Sequence, residues 1–192
     1  MNKATFIYKM SFPLIGLGIL LSLNAYIPVL KVVLGFDDFI SISFSVLITT
    51  LVGGYMAALA GFIIWARLIA AKPIKHQDDQ APNIRKPHLL GLSFLIPLPF
   101  ISCLILAWCW KKERHLSRLL DEAYRETINF HLTMHLYLLI SFFLMPIIVG
   151  FVMIILILTT FFLATIFHCF RKPQDDTISH YPINIQIAVN SD

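Results

Sequence analysis

The chain is written as long apolar blocks separated by short polar breaks, and the blocks have the length of membrane helices. About 20 apolar residues are needed to cross roughly 30 Å of hydrocarbon. Residues 12 to 34 form the first block, which contains Pro13, Asn24, Pro28 and Lys31. Pro28 predicts a kink, and Lys31 is placed to snorkel to the interface. GFDD (35 to 38) predicts a tight acidic turn before a second block at 39 to 71. That block is about 50 Å long as a helix, and no turn signal divides it, so it reads as one tilted span with overhang. KPIKHQDDQAPNIRKPH (72 to 88) predicts a polar loop. LLGLSFLIPLPFISCLILAWCW (89 to 110) is the third block, broken at its middle by Pro97 and Pro99 and ending in Trp108 and Trp110, which suit a headgroup-level aromatic belt. KKERHLSRLLDEAYRE (111 to 126) predicts an interfacial amphipathic helix that runs without a breaker into a fourth block ending near Met145. Pro146 and Gly150 allow a short turn, a fifth block runs from about Ile147 to Phe170, and Arg171 and Lys172 close it ahead of a polar tail.

This pattern predicts an all-α fold: a polytopic membrane bundle of four to five membrane segments plus a juxtamembrane amphipathic helix. It divides into an N-terminal hairpin with its polar loop (1 to 88), a membrane domain (89 to 187) and a short tail (188 to 192). Composition agrees. The apolar fraction is 58% and the charged fraction 14%, against roughly 25% charged in soluble domains, and the mean hydropathy is +0.78.

The formal charge of +4 does not point to nucleic acid, because Lys and Arg lie between the blocks and no recognition motif with interleaved aromatics accompanies them. They read as topology signals and anionic-lipid contacts. If all five blocks cross, seven basic residues fall on one side and eight on the other. If the proline-broken third block instead dips in and returns, every basic cluster except Lys31 is cytoplasmic. The positive-inside rule favours that arrangement, with both termini cytoplasmic. The basic and apolar start resembles a signal peptide, but Leu23 stands where a small residue is wanted before Ala25, so it reads as an uncleaved first span. Cys103, Cys109 and Cys169 lie in apolar surroundings without metal-type spacing and read as buried structural thiols.

Three groups of residues are candidates for function. Gly53, Ala57 and Gly61 recur every four residues, with Gly54 and Ala58 as a parallel row; small residues at this spacing let membrane helices approach closely, within one chain or between copies. His131 and His135 are four apart on a helix and could share one metal ion, although no third ligand lies nearby. Arg118, Glu122, Arg125, Glu126, Asn129 and Thr133 form a polar ridge on roughly the opposite face, which reads either as a solvated face or as contact with a partner or polar cavity. No phosphate loop, nucleophile elbow or intramembrane carboxylate pair is present. No cofactor and no catalytic residue is therefore assigned.

AWCWKK (107 to 112), DEAYRETINFH (121 to 131) and YPINI (181 to 185) together resemble the family of small polytopic membrane proteins related to the twenty-kilodalton subunit of the chloroplast inner-envelope protein translocon. The resemblance spans about 89 to 187 and rests chiefly on Glu126, Asn129, Phe130, Tyr181 and Pro182. It departs from that pattern at Ala123, Tyr124, His131 and Gln186. It implies a translocon-like helical bundle, for a bacterial member in the inner membrane.

The expected function is that of a non-enzymatic integral membrane protein, a subunit or assembly factor of a larger complex. Its partners would be the lipid bilayer and either another membrane protein or a second copy. A channel or carrier component, suggested by Pro28, Pro97 and Pro99, and a metal- or haem-binding membrane enzyme using His131 and His135 are the alternatives.

Overall fold

A computed structural model of the chain describes residues 3–33, 44–72, 74–75, 83–95, 100–144, 148–170, 181 and 184–187. Every regular element among them is helical: α1 (Lys3–Val33), α2 (Phe44–Ala70), α3 (Arg85–Gly91) with a 3₁₀ turn (Leu92–Leu95), α4 (Ile101–Glu113), α5 (Arg118–Phe143) and α6 (Val149–Phe170). The all-α expectation holds. The expected GFDD turn, and Pro97, Pro99, Pro146 and Pro182, lie outside the described residues.

Among the described residues, two segments are long and apolar enough to cross a membrane, Thr49–Ala70 in α2 and Val149–Phe170 in α6, and a shorter apolar stretch runs from Met10 to Asn24 in α1. These account for two of the four to five membrane segments expected, and the other blocks differ for reasons of local sequence. The third block is not one helix. It is split into α3 with its 3₁₀ turn and α4, whose 13 residues cover only about 20 Å. Phe100, just ahead of α4, has φ 63°. The fourth block is a continuous helix, but Asn129, His131, Thr133 and His135 make its first half too polar to qualify.

Two further expectations change. The polar loop ends before residue 88, since α3 begins at Arg85. Pro87 is tolerated there because first-turn amides have no intrahelical partner. The separate juxtamembrane helix over 111 to 126 does not exist. Its first residues finish α4, a turn at 114 to 117 intervenes, and the remainder is the start of α5, with Ser117 in extended conformation (φ −159°, ψ 147°).

The chain separates into two compact units, Met1–Trp65 with Leu98–Phe100, and Ala66–Pro97 with Ile101–Asp192. In the first, α1 and α2 meet through small residues. A methyl group at Gly18 would collide with the backbone of Gly54 and Ala58, and one at Gly54 would lie 2.7 Å from the Ser22 nitrogen and 2.9 Å from the Gly18 oxygen. Two helix backbones can approach this closely only where no side chain intervenes. Phe100 packs on α2 in the same unit, its ring 4.6 Å from Tyr55 and 5.7 Å from Phe62.

The second unit is built around α5, which is buried on every face from Leu120 to His135 except at Glu122. Its neighbours are α3, α4, α6 and the C-terminal residues. α6 turns Phe161, Ala164, Thr165 and His168 inward and leaves Ile155, Leu156, Leu163, Phe167 and Phe170 exposed, an apolar face suited to lipid. Cys103, Cys109 and Cys169 are free and buried, as read from their surroundings.

Candidate functional site

The polar residues of α5 are tied into three clusters around this helix. The first lies where α4 turns into α5. Asp121 sits one turn into α5 and accepts three bonds: from the Trp110 indole nitrogen to Oδ1 (2.6 Å), and from Arg125 Nε (2.9 Å) and Nη2 (2.7 Å) to Oδ2. Arg114 Nε adds an ion pair at 3.3 Å. The indole of Trp110 is close to both guanidinium groups, whose carbons are 5.0 and 5.8 Å from its centroid. Arg114 also donates from Nη1 to the Ile69 carbonyl and from Nη2 to the Lys72 carbonyl, 3.2 Å away. A cation at the C-terminus of α2 satisfies carbonyls that the helix leaves open and complements its dipole. This explains why the 111 to 126 stretch is broken: Arg114 turns inward. Beside it, Glu113 takes the Lys86 ammonium on one oxygen and the Tyr124 hydroxyl (2.9 Å) on the other.

The second cluster binds the C-terminal segment. Thr133 Oγ1 accepts the Ile185 N–H at 3.1 Å, Asn129 Oδ1 accepts the Ile187 N–H at 3.2 Å, and Glu126 Oε2 accepts the Asn184 side-chain amide at 2.7 Å. The spacing has a simple origin. Alternate residues of an extended chain are about 6.6 Å apart, and positions four apart on a helix about 6.0 Å. Side-chain oxygens at 129 and 133 thus match the amides at 185 and 187. The face presented by Glu126, Asn129 and Thr133 is the ridge seen in the sequence, and it faces the protein's own tail. The outer members of that ridge behave differently: Arg118 and Glu122 form a surface pair at 3.0 Å.

The third cluster is aromatic. Tyr181 stacks on Phe130 (centroids 4.1 Å, 11°) and on His168 (3.8 Å, 20°). Its hydroxyl is 2.8 Å from His88 Nδ1, which is also 3.1 Å from Thr127 Oγ1. Burial, reinforced by the neighbouring His168 and His131, pushes the His88 imidazole down to about 3. His131 stands between Thr127 and Gly91, with Nδ1 2.8 Å from the Thr127 oxygen and Nε2 3.1 Å from the Gly91 oxygen. Gly91 is needed for this approach, because a methyl there would lie 2.9 Å from His131 Cε1. His135 is buried one turn further on.

The structure therefore uses Glu126, Asn129, Phe130 and Tyr181 together. Both ring nitrogens of His131 are directed at carbonyl oxygens, and among the described residues no three His, Cys, Asp or Glu side chains converge as a metal site. Of the small-residue ridge, Gly61 is buried against Ile15 and Ser11, Ala57 is half-buried and Gly53 has open space around it. Trp110, read in the sequence as part of an aromatic belt, is instead fully buried on Asp121, and sequence reasoning missed the roles of Arg114, Asp121, His88 and Gly91. Asp121 and Arg125 at i, i+4 were a readable pair; Arg114 reaches Asp121 across the turn between α4 and α5, and His88 and Gly91 are brought in by a helix about 40 positions away.

Residues 86–188, more than half of the chain, match the family model of the magnetosome magnetite crystal formation proteins, MamF/MmsF. No curated protein and no solved structure matches. The match opens at Lys86, which pairs with Glu113, and closes one residue beyond Ile187, which docks on Asn129. It overturns the resemblance to the translocon subunit: AWCWKK, DEAYRETINFH and YPINI all lie inside the region claimed by this other family. Those motifs are short, and here they supply packing and tethering residues of a helical membrane domain, so they were a poor guide to which family the domain belongs to.

Proposed function

The chain belongs to the magnetosome magnetite crystal formation family, and on that premise we propose that it acts as a non-enzymatic component of the magnetosome membrane, an assembly subunit through which magnetite crystals are shaped. The observation that carries this reading is how the polar groups of α5 are used. Asp121, Glu126, Asn129 and Thr133 hold α4 and the C-terminal segment in place, which is the work of a scaffold. The exposed apolar face of α6 fits residence in a bilayer, and the distribution of Lys and Arg fits both termini on the cytoplasmic side.

Deleting the gene in a magnetite-forming bacterium should alter crystal size or shape under electron microscopy, and the wild-type gene should restore it. Crystals indistinguishable from the parent's would remove the role in mineral formation. Native-size analysis in mild detergent tests the subunit reading separately. The expected particle is larger than one chain, and a strict monomer with no co-purifying partner would end that reading.

A further inference from the structure

The corner between α4 and α5 gathers cations on its outside. From Trp108 to Arg118 the chain carries the cations Lys111, Lys112, Arg114 and Arg118, with His115 among them, against a single acid, Glu113. That acid is already engaged by Lys86 and Tyr124, and Arg114 is turned inward to the α2 carbonyls. Lys111, Lys112, His115 and Arg118 remain exposed. Arg118 is paired with Glu122, but its side chain is 77% exposed, and such surface pairs hold a cation only weakly.

Beside these cations the corner also exposes apolar surface. Trp108 is 66% exposed with the Lys112 ammonium 5.5 Å from its ring, and Leu116 is exposed as well. The layer beneath is itself cationic. Arg114 and Arg125 share one carboxylate, and Arg125 Nη1 is buried with no hydrogen-bond partner. Ser117 makes no side-chain cap to α5, and Asp121, the acid of that helix's first turn, is already taken up by Trp110, Arg114 and Arg125.

We propose that this corner binds the phosphate of an anionic phospholipid headgroup. The combination of groups argues for a lipid. Lysine, arginine and a helix N-terminus suit a phosphate, while an exposed indole and leucine beside them suit the apolar-polar boundary that an amphiphile brings. A soluble phosphate would have no use for Trp108 or Leu116. The inference rests on the chain's place in a membrane and is independent of its role in magnetite formation.

The full chain, reconstituted in nanodiscs of phosphatidylcholine alone or mixed with phosphatidylglycerol, should retain phosphatidylglycerol selectively when released for native mass spectrometry. The triple variant Lys111→Gln, Lys112→Gln, Arg118→Gln should lose that preference by about fivefold per cation removed, or roughly a hundredfold. A variant with equal charge loss elsewhere, Arg67→Gln, Lys75→Gln, Arg85→Gln, should keep it, and Trp108→Ala should weaken it. Equal retention of both lipids by the wild type, or undiminished retention by the corner variant, overturns the proposal. So does inorganic phosphate that raises the unfolding temperature in phosphatidylcholine discs as much as phosphatidylglycerol does, since that outcome assigns the corner to a soluble anion.

Discussion

Asn129 and Ile187 stand 58 positions apart in the sequence, yet the Asn129 side-chain oxygen accepts the Ile187 backbone N–H at 3.2 Å. With Thr133 and Ile185 making the equivalent contact one helical turn on, the tail is latched to α5 by its main chain. Asn129→Ala leaves the Ile187 amide buried without an acceptor, which costs about 1–3 kcal/mol. The expected result is a lower unfolding temperature in detergent and faster amide hydrogen exchange at Ile185 and Ile187, with exchange across α2 unchanged. Unaltered exchange at Ile187 would show that the latch is held by other contacts.

Asp121 is the shared acid of two buried guanidinium groups and the indole of Trp110. Asp121→Ala leaves both cations in low-dielectric surroundings with no counter-charge, and a broken buried pair costs about 3–5 kcal/mol. The variant should express poorly or unfold at markedly lower temperature, with Trp110 emission shifted to the red as water enters. Asp121→Leu combined with Arg125→Leu removes the acid together with its closest cation and should recover part of the loss, since apolar replacement of a buried pair is often tolerated. A double variant no more stable than Asp121→Ala would place the importance of the cluster in Arg114 alone.

What the sequence made legible follows from these same residues. Span length and polar face are local properties, so α2, α6 and the ridge of Glu126, Asn129 and Thr133 could be read directly. The occupant of that ridge could not, because the tail presents backbone amides, which leave no mark in side-chain pattern. The inward turn of Arg114 was hidden for a related reason: its acceptors are carbonyls at the end of α2, and a cation in KKERH otherwise looks like surface. His131 and His135 had the spacing of a metal pair, but spacing does not report that both nitrogens of His131 meet carbonyl oxygens.

The small residues of α2 are distinguished by what α1 presents to them: Gly54 and Gly61 lie against α1, whereas Gly53 faces open space. Gly54→Ala forces a methyl against the Ser22 nitrogen and the Gly18 oxygen, both backbone atoms that cannot step aside. It should destabilise the α1–α2 pair by about 1–3 kcal/mol. Gly53→Ala meets nothing within 4 Å and should be neutral or gain up to about 1 kcal/mol of helix propensity. Thermal unfolding of the two variants side by side checks the contrast. A destabilised Gly53→Ala whose particle is also smaller than the wild type's would reveal a contact between copies at that row.

His88 gives the domain a pH dependence whose sign can be worked out. Lying outside both spans, it is held at about 3 by burial and by its histidine neighbours, whereas an unfolded histidine titrates near 6.5. Between these values the unfolded chain binds the extra proton. The stabilising contribution is therefore full above about pH 6.5 and is lost as the pH falls, at about 1.4 kcal/mol per unit. Near pH 5 the loss from His88 alone amounts to about 2 kcal/mol. Replacing His88 by Gln keeps a polar partner near the Tyr181 hydroxyl but removes the titration. The unfolding temperature of wild type should thus fall more steeply than that of His88→Gln between about pH 7 and pH 5, even if the variant starts lower. Parallel curves for the two proteins would mean that His88 takes up its proton without leaving the folded state, and that the Tyr181 contact survives a charged ring.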